Sequence, residues 1–263
     1  MTETVTEAAS AYSSGLLCLK LGQPQEALAH FNRSLDLLPN IPKVLYQRAF
    51  AHNLLGNTTQ AISDCNEAIT LDGSDPWCYV HRALILAEMG RPQEVIEDCT
   101  RALSLDSGLT IAYTERASAY CDMKAFTQAI ADLTRAIDLD PNDSVSFICR
   151  AVAYDELGQY EKTIEDFTQA LLLNAQDATV YFSRALAYHK TGQHAKAIAD
   201  YSRTLELQPQ CDEAVRNRSL AANQKEIREK VESLTPERAR KLGNGSGRVY
   251  DLFTKIEIGK SND

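Results

Sequence analysis

Small and apolar residues recur along this chain with two periods at once. Locally they follow helical spacing, at positions 4, 8 and 11 and again at 20, 24, 27 and 28 of a longer unit. At long range the pattern returns every 34 residues. Leu21-Gly22, Leu55-Gly56, Met89-Gly90, Leu157-Gly158 and Thr191-Gly192 mark the period, and Met123-Lys124 holds the remaining place. Counted from Ala8, six units follow: 8–41, 42–75, 76–109, 110–143, 144–177 and 178–211. Slot 8 of the unit is small throughout (Gly15, Ala49, Ala83, Ala117, Ala151, Ala185), and slots 20 and 27 are small or nearly so. Each unit therefore predicts two helices, A over slots ~1–14 and B over slots ~18–31, with glycine or a polar residue breaking the chain between them. The small residues let two backbones approach closely. No unit can bury its apolar faces alone, so the units must stack into an all-α solenoid.

The flanks read differently. Residues 1–7 are polar and acidic and are expected to be an N-terminal tail. Residues 212–234 continue the pattern as a seventh, extended helix A with a polar outer face, which caps the last apolar surface. Beyond it, Thr235-Pro236 predicts an N-cap and N1 pair opening a short helix, and Gly243 to Gly247 predicts a linker. Arg248 to Asp263 forms a tail in which Val249, Leu252, Phe253 and Ile256 would share one helix face.

The 34-residue unit resembles the tetratricopeptide repeat (TPR) family. The resemblance rests on the small residues at slots 8, 20 and 27, the aromatic residues at slots 4, 11 and 24, and glycine at slot 15, six times in tandem. Departures are mild: Lys124 stands for glycine, Gly73, Ser107 and Ala175 stand where proline occurs at Pro39, Pro141 and Pro209, and the first unit is degenerate at slots 4 and 7. The resemblance implies a right-handed α-solenoid whose helices A line a concave groove with slots 2, 5, 9 and 12.

Composition narrows the function classes. The net charge is −9 with a pI of about 5.1, which argues against a nucleic-acid-binding surface. Apolar runs are too short for membrane insertion, and the N-terminus lacks the apolar stretch of a signal peptide. The seven cysteines are odd in number and form no Cys-x-x-Cys pair, the pattern of buried free thiols in a reducing, cytoplasmic protein. No P-loop, Gly-x-Gly-x-x-Gly, Gly-x-Ser-x-Gly or His-Glu-x-x-His motif occurs, and the five histidines occupy unrelated slots. The expectation is a non-catalytic chain with no cofactor and no metal.

Two polar and apolar patterns remain. Arginine recurs at slot 7 (Arg48, Arg82, Arg116, Arg150, Arg184) and aspartate at slot 23 (Asp64, Asp98, Asp132, Asp166, Asp200), each pair 16 residues apart. A partly buried arginine needs a carboxylate, so these are expected to be structural ion pairs across each hairpin; a ligand-binding arginine row is the competing assignment. The groove implied by the resemblance carries Tyr12, Leu16, Tyr46, Phe50, Trp77, Val80, Leu84, Ile111, Ile148, Val152, Phe182 and Leu186, an apolar stripe of the kind that marks a binding site. Some of these side chains, slot 9 above all, could instead pack between neighbouring helices. Slots 5, 6 and 9 lack the lysine, asparagine and arginine with which co-chaperone members of the family grip a terminal carboxylate; slot 6 reads Ser13, Gln47, His81, Glu115, Cys149, Ser183. The expected function is a protein–protein adaptor or scaffold that takes an apolar or amphipathic partner segment, its own residues 248–258 being one candidate. A subunit of a larger or self-associating assembly, or a co-chaperone without the clamp, is the alternative.

Overall fold

The computed structural model describes residues 2–232, and among these the chain is entirely helix and turn. Thirteen helices follow in order: α1 (Thr2–Lys20), α2 (Pro24–Leu37), α3 (Pro42–Leu54), α4 (Thr58–Leu71), α5 (Pro76–Glu88), α6 (Pro92–Leu105), α7 (Thr110–Asp122), α8 (Phe126–Leu139), α9 (Ser144–Glu156), α10 (Tyr160–Leu173), α11 (Ala178–Lys190), α12 (His194–Leu207) and α13 (Asp212–Glu232). Odd-numbered helices are A and even-numbered are B. The short helix, linker and tail expected over 235–263 lie outside the described residues. Helix α1 begins at Thr2, so residues 2–7 are its first turns rather than a separate tail. Two compact units divide between Ala175 and Gln176.

The turn inside each hairpin has one physical form. Gly56 adopts φ 74°, the left-handed region open to glycine without cost, while Asn57 N–H donates to His52 O (2.9 Å) and Gly56 N–H to Asn53 O (2.9 Å). Lys124 takes the same conformation at φ 57° and supports the same bonds, Ala125 N–H to Tyr120 O at 2.8 Å. Helices A start on carboxylate caps where the sequence supplies them: Asp143 accepts from Val145 N–H (3.0 Å) and Ser146 N–H (3.2 Å), and Asp75 from Trp77 N–H (2.9 Å). Where it does not, Pro42 occupies the first turn of α3 instead.

Packing within the first unit is between sequence neighbours: each B helix against its own A and the next A, and A against A from α1 to α9. Slots 8, 20 and 24 fill the hairpin, as in the cluster Ala117, Ala129 and Leu133. Slots 3 and 10 make the seam to the preceding repeat. Val44 and Ala51 pack against Cys18, Ala27 and Phe31; Ile85 packs against Ala49, Ala61 and Cys65. In the second unit Ala214 and Ala221 of α13 close over Ala185, Ala197 and Tyr201 in the same way, so α13 is a seventh helix A. Helix α1 has no preceding hairpin among the described residues, and there slots 3 and 10, Ser10 and Leu17, are exposed, Leu17 at 57 %.

Candidate functional site

All five slot-7 arginines meet their aspartates through two parallel bonds. Arg116 Nε and Nη2 each donate to Asp132 at 2.7 Å, and the other four pairs lie between 2.6 and 2.9 Å. The carboxylates are buried and the guanidiniums largely so. The remaining Nη1 reaches backward to slot 25 of the preceding repeat: Arg48 to Asn32 (2.9 Å), Arg82 to Asn66 (2.7 Å), Arg116 to Thr100 (2.9 Å), Arg150 to Thr134 (3.0 Å). Aromatic rings at slots 4 and 11 flank the guanidinium, with Arg150 lying 5.7 Å from the centre of Phe147 and 6.0 Å from that of Tyr154. The hydrogen bond to the carboxylate is the largest influence raising the pKa of Arg48, Arg82, Arg116 and Arg150. Arg48, Arg82, Arg116 and Arg150 are thus each engaged in holding a hairpin together and tying it to its predecessor.

The opposite face of helix A holds the apolar stripe. In the first unit Trp77 (41 %) and Val152 (47 %) are exposed, and Tyr12, Leu16, Phe50, Leu84, Ile111 and Ile148 are half-buried. Tyr46 (4 %) and Val80 (1 %) are buried, which removes them from any surface a partner can touch. Tyr46 lies in the cluster of Leu45, Ala68 and Cys78, and Val80 in that of Ala83, Val95 and Ala112. At these two positions slot 5 lies under the next repeat, Tyr46 beside Cys78 and His81 and Val80 in the cluster that includes Ala112. In the second unit Phe182 and Leu186 are half-buried beside Tyr201, and with Glu213, Arg216 and Asn217 they line a pocket of about 350 Å³.

Slot 6, whose residues in the sequence serve only to reject the carboxylate clamp, is part of this face. His81 is the hub of an aromatic cluster: stacked on Tyr46 (centroids 4.6 Å apart, 16° between planes), edge-on to Phe50 at 6.2 Å and tilted to Trp77 at 6.3 Å. Its Nδ1 is buried without a hydrogen-bond partner, and burial pushes its pKa down to about 4. One repeat on, Glu115 is half-buried, and burial pushes its pKa up. Slots 12 and 13 bridge consecutive helices A, Asn53 Nδ2 donating to Glu88 at 2.7 Å. Lys43 lies 5.7 Å above the Tyr12 ring. No signal in the sequence distinguishes slot 6 from its neighbours except its place three or four residues from slots 2, 9 and 10.

All seven cysteines are free thiols, four of them buried, and burial pushes Cys65, Cys78 and Cys99 up to about 12. Among the described residues no cluster of three or more His, Cys, Asp or Glu could hold a metal, and no helix is long and apolar enough to cross a membrane.

Five family models, all describing the tetratricopeptide repeat, match residues 6–76, 111–143, 133–165, 151–192 and 178–211. No curated protein matches in sequence. Among solved structures the chain is similar to pilF of Pseudomonas aeruginosa (14 % identity, TM-score 0.73, covering 82 % of this chain and 99 % of that one). It is also similar to YrrB, described as a TPR protein with an unusual peptide-binding site (14 %, TM-score 0.64, covering 72 % and 97 %). A chain of the APC/C hetero-tetramer Cut9-Hcn1 matches at 21 % identity and TM-score 0.66; 82 % of this chain spans 43 % of that one, so less than half of the larger protein is represented. At these identities the likeness is one of fold.

Proposed function

The chain belongs to the tetratricopeptide-repeat family, and from that premise we propose that it is a non-catalytic scaffold whose helix-A face takes an apolar or amphipathic segment of a partner protein. The observation that carries the reading is the stripe on the first unit. Trp77 and Val152 are exposed, and Phe50, Leu84, Ile111 and Ile148 are left half-covered on one face of consecutive helices. Exposed apolar surface of this kind is costly in water and marks a docking surface. Against a rival site at the slot-7 arginines stands the engagement of Arg116, whose Nε, Nη1 and Nη2 each donate to Asp132 or Thr100. The peptide-binding site named for YrrB and the hetero-tetramer named for Cut9-Hcn1 agree with an interaction role for the fold.

The test is a peptide selected from a random display library on the full chain, then titrated against variants. Trp77→Ala combined with Leu84→Glu should cost about 2 kcal/mol or more of binding while the circular dichroism spectrum is kept. Equal affinity for that variant would place the interaction elsewhere. The exposed seam of α1 favours a second reading, an assembly subunit that packs on another chain through Ser10 and Leu17. Light scattering after size exclusion separates the two: a stable oligomer that Leu17→Glu dissociates supports the second.

A further inference from the structure

The face that would dock a partner is not only apolar; it has one sign of charge. Consider slots 2, 5, 6, 9, 12 and 13 of repeats three to five, a single helical stripe. They contain Glu88, Glu115, Asp122, Asp155 and Glu156 and no lysine or arginine. The lysines on this stripe of the first unit, Lys20 and Lys43, belong to the first two repeats. Arginines on the same helices point to the other side and are held there, Arg82 by Asp98, Arg116 by Asp132 and Arg150 by Asp166. The surroundings reinforce the sign. Residues 1–175 hold 24 acidic and 12 basic side chains, a net −12, whereas residues 176–263 hold 12 and 15, a net +3.

Glu115 concentrates the effect. It sits at slot 6 of α7, half-buried, flanked along the stripe by Ile111 and by Ser118. Burial is what raises its pKa. A carboxylate withdrawn from water without a countercharge is a standing cost, and a ligand cation that reaches it recovers that cost. A negative, apolar-walled strip also raises the local concentration of positively charged ligands.

Building on the docking reading above, we propose that the helix-A face of repeats three to five selects a basic amphipathic segment of a partner, its apolar side chains lying on Trp77, Leu84, Ile148 and Val152 and a lysine or arginine pairing with Glu115. Charge complementarity decides the occupant: an acidic segment laid along repeats three to five would run beside Glu115, Asp122 and Glu156, whereas a basic one would pair with them. This is the reverse of the lysine- and arginine-lined grip that the sequence lacks.

The experiment titrates the full chain with two synthetic amphipathic helical peptides of the same length and the same leucine positions, one carrying lysine and the other glutamate on the polar face. The lysine peptide should bind and the glutamate peptide should not. Glu115→Gln, and separately Asp122→Asn, should each weaken the lysine peptide, the former roughly tenfold, with an unchanged circular dichroism spectrum and with the difference shrinking at high salt. Equal binding of both peptides, with Trp77→Ala plus Leu84→Glu still weakening both, overturns the charge selection and leaves the docking face standing. Lysine-peptide binding that none of these variants alters overturns both. A gain in affinity on deleting 244–263 would make the chain's own tail the occupant and overturn the assignment to a separate partner.

Discussion

Lys124 holds a backbone conformation that five glycines hold at the equivalent place, and a side chain there is strained by its own Cβ. The glycines owe nothing to crowding: a Cβ built on Gly22, Gly56, Gly90 or Gly158 meets no atom within 4 Å. Lys124→Gly should therefore stabilise the chain by about 1 kcal/mol in urea denaturation. The 34-residue period alone singles this position out, because one break in a run of glycines is visible in a sequence. His81 is not visible in that way, since its character comes from Tyr46, Phe50 and Trp77 gathered around it. Its pKa falls from 6.5 to about 4, so the folded chain holds the neutral ring and the unfolded chain holds the proton between those values. The stability His81 confers is complete above pH 6.5 and is lost as the pH falls toward 4, by about 3 kcal/mol. Denaturation curves at about pH 7 and pH 4 should show a smaller acid loss for His81→Phe than for the unaltered chain.

Between elements, the arginine ladder is the most legible feature and also the one the sequence describes incompletely. Spacing of 16 residues identifies the Arg–Asp pair within a hairpin, because both slots are invariant in type over five repeats. The bond from Arg116 to Thr100 leaves no such mark, because slot 25 alternates between asparagine, threonine and serine, three residue types with a shared acceptor but no shared appearance. Arg116→Ala removes both links and leaves the buried Asp132 carboxylate unpaired, at a cost on the order of 1–4 kcal/mol. Thermal unfolding measures it, and peptide binding to the helix-A face should survive, since Arg116 points away from that face.

Across the whole molecule, the six-fold period makes the helix order, the hairpin cores and the seventh helix A readable, because they follow from spacing alone. The seam is less readable. Slots 3 and 10 are small and buried in most repeats, but the first unit puts Leu17 where Ala51, Ala119 and Ala153 stand later, which blurs the pattern at its first occurrence. The apolar stripe is readable as residues but not as surface: Tyr46 and Val80 have the same chemistry as their neighbours and differ only in what covers them. Position in the array, rather than residue type, then sets the energetic weight of a slot. Leu17→Ala should change stability by no more than about 0.5 kcal/mol. Ala119→Leu, at the same slot but packed beside Val95 and Cys99, should cost about 1–3 kcal/mol by overfilling the seam. Guanidinium denaturation of the two variants makes the comparison.

The backward reach of Arg48, Arg82, Arg116 and Arg150, together with the seam at slots 3 and 10, gives the gene a freedom that globular folds lack. A tandem duplication of one period of coding sequence, wherever within the array the ends of the copied segment fall, yields a hairpin that meets both neighbours through the same slots. Insertions of other lengths put an arginine opposite the wrong helix turn and a large side chain into a seam. Recombination can therefore lengthen or shorten this array in whole steps without passing through an unfolded intermediate sequence, and repeat number becomes a heritable variable in its own right.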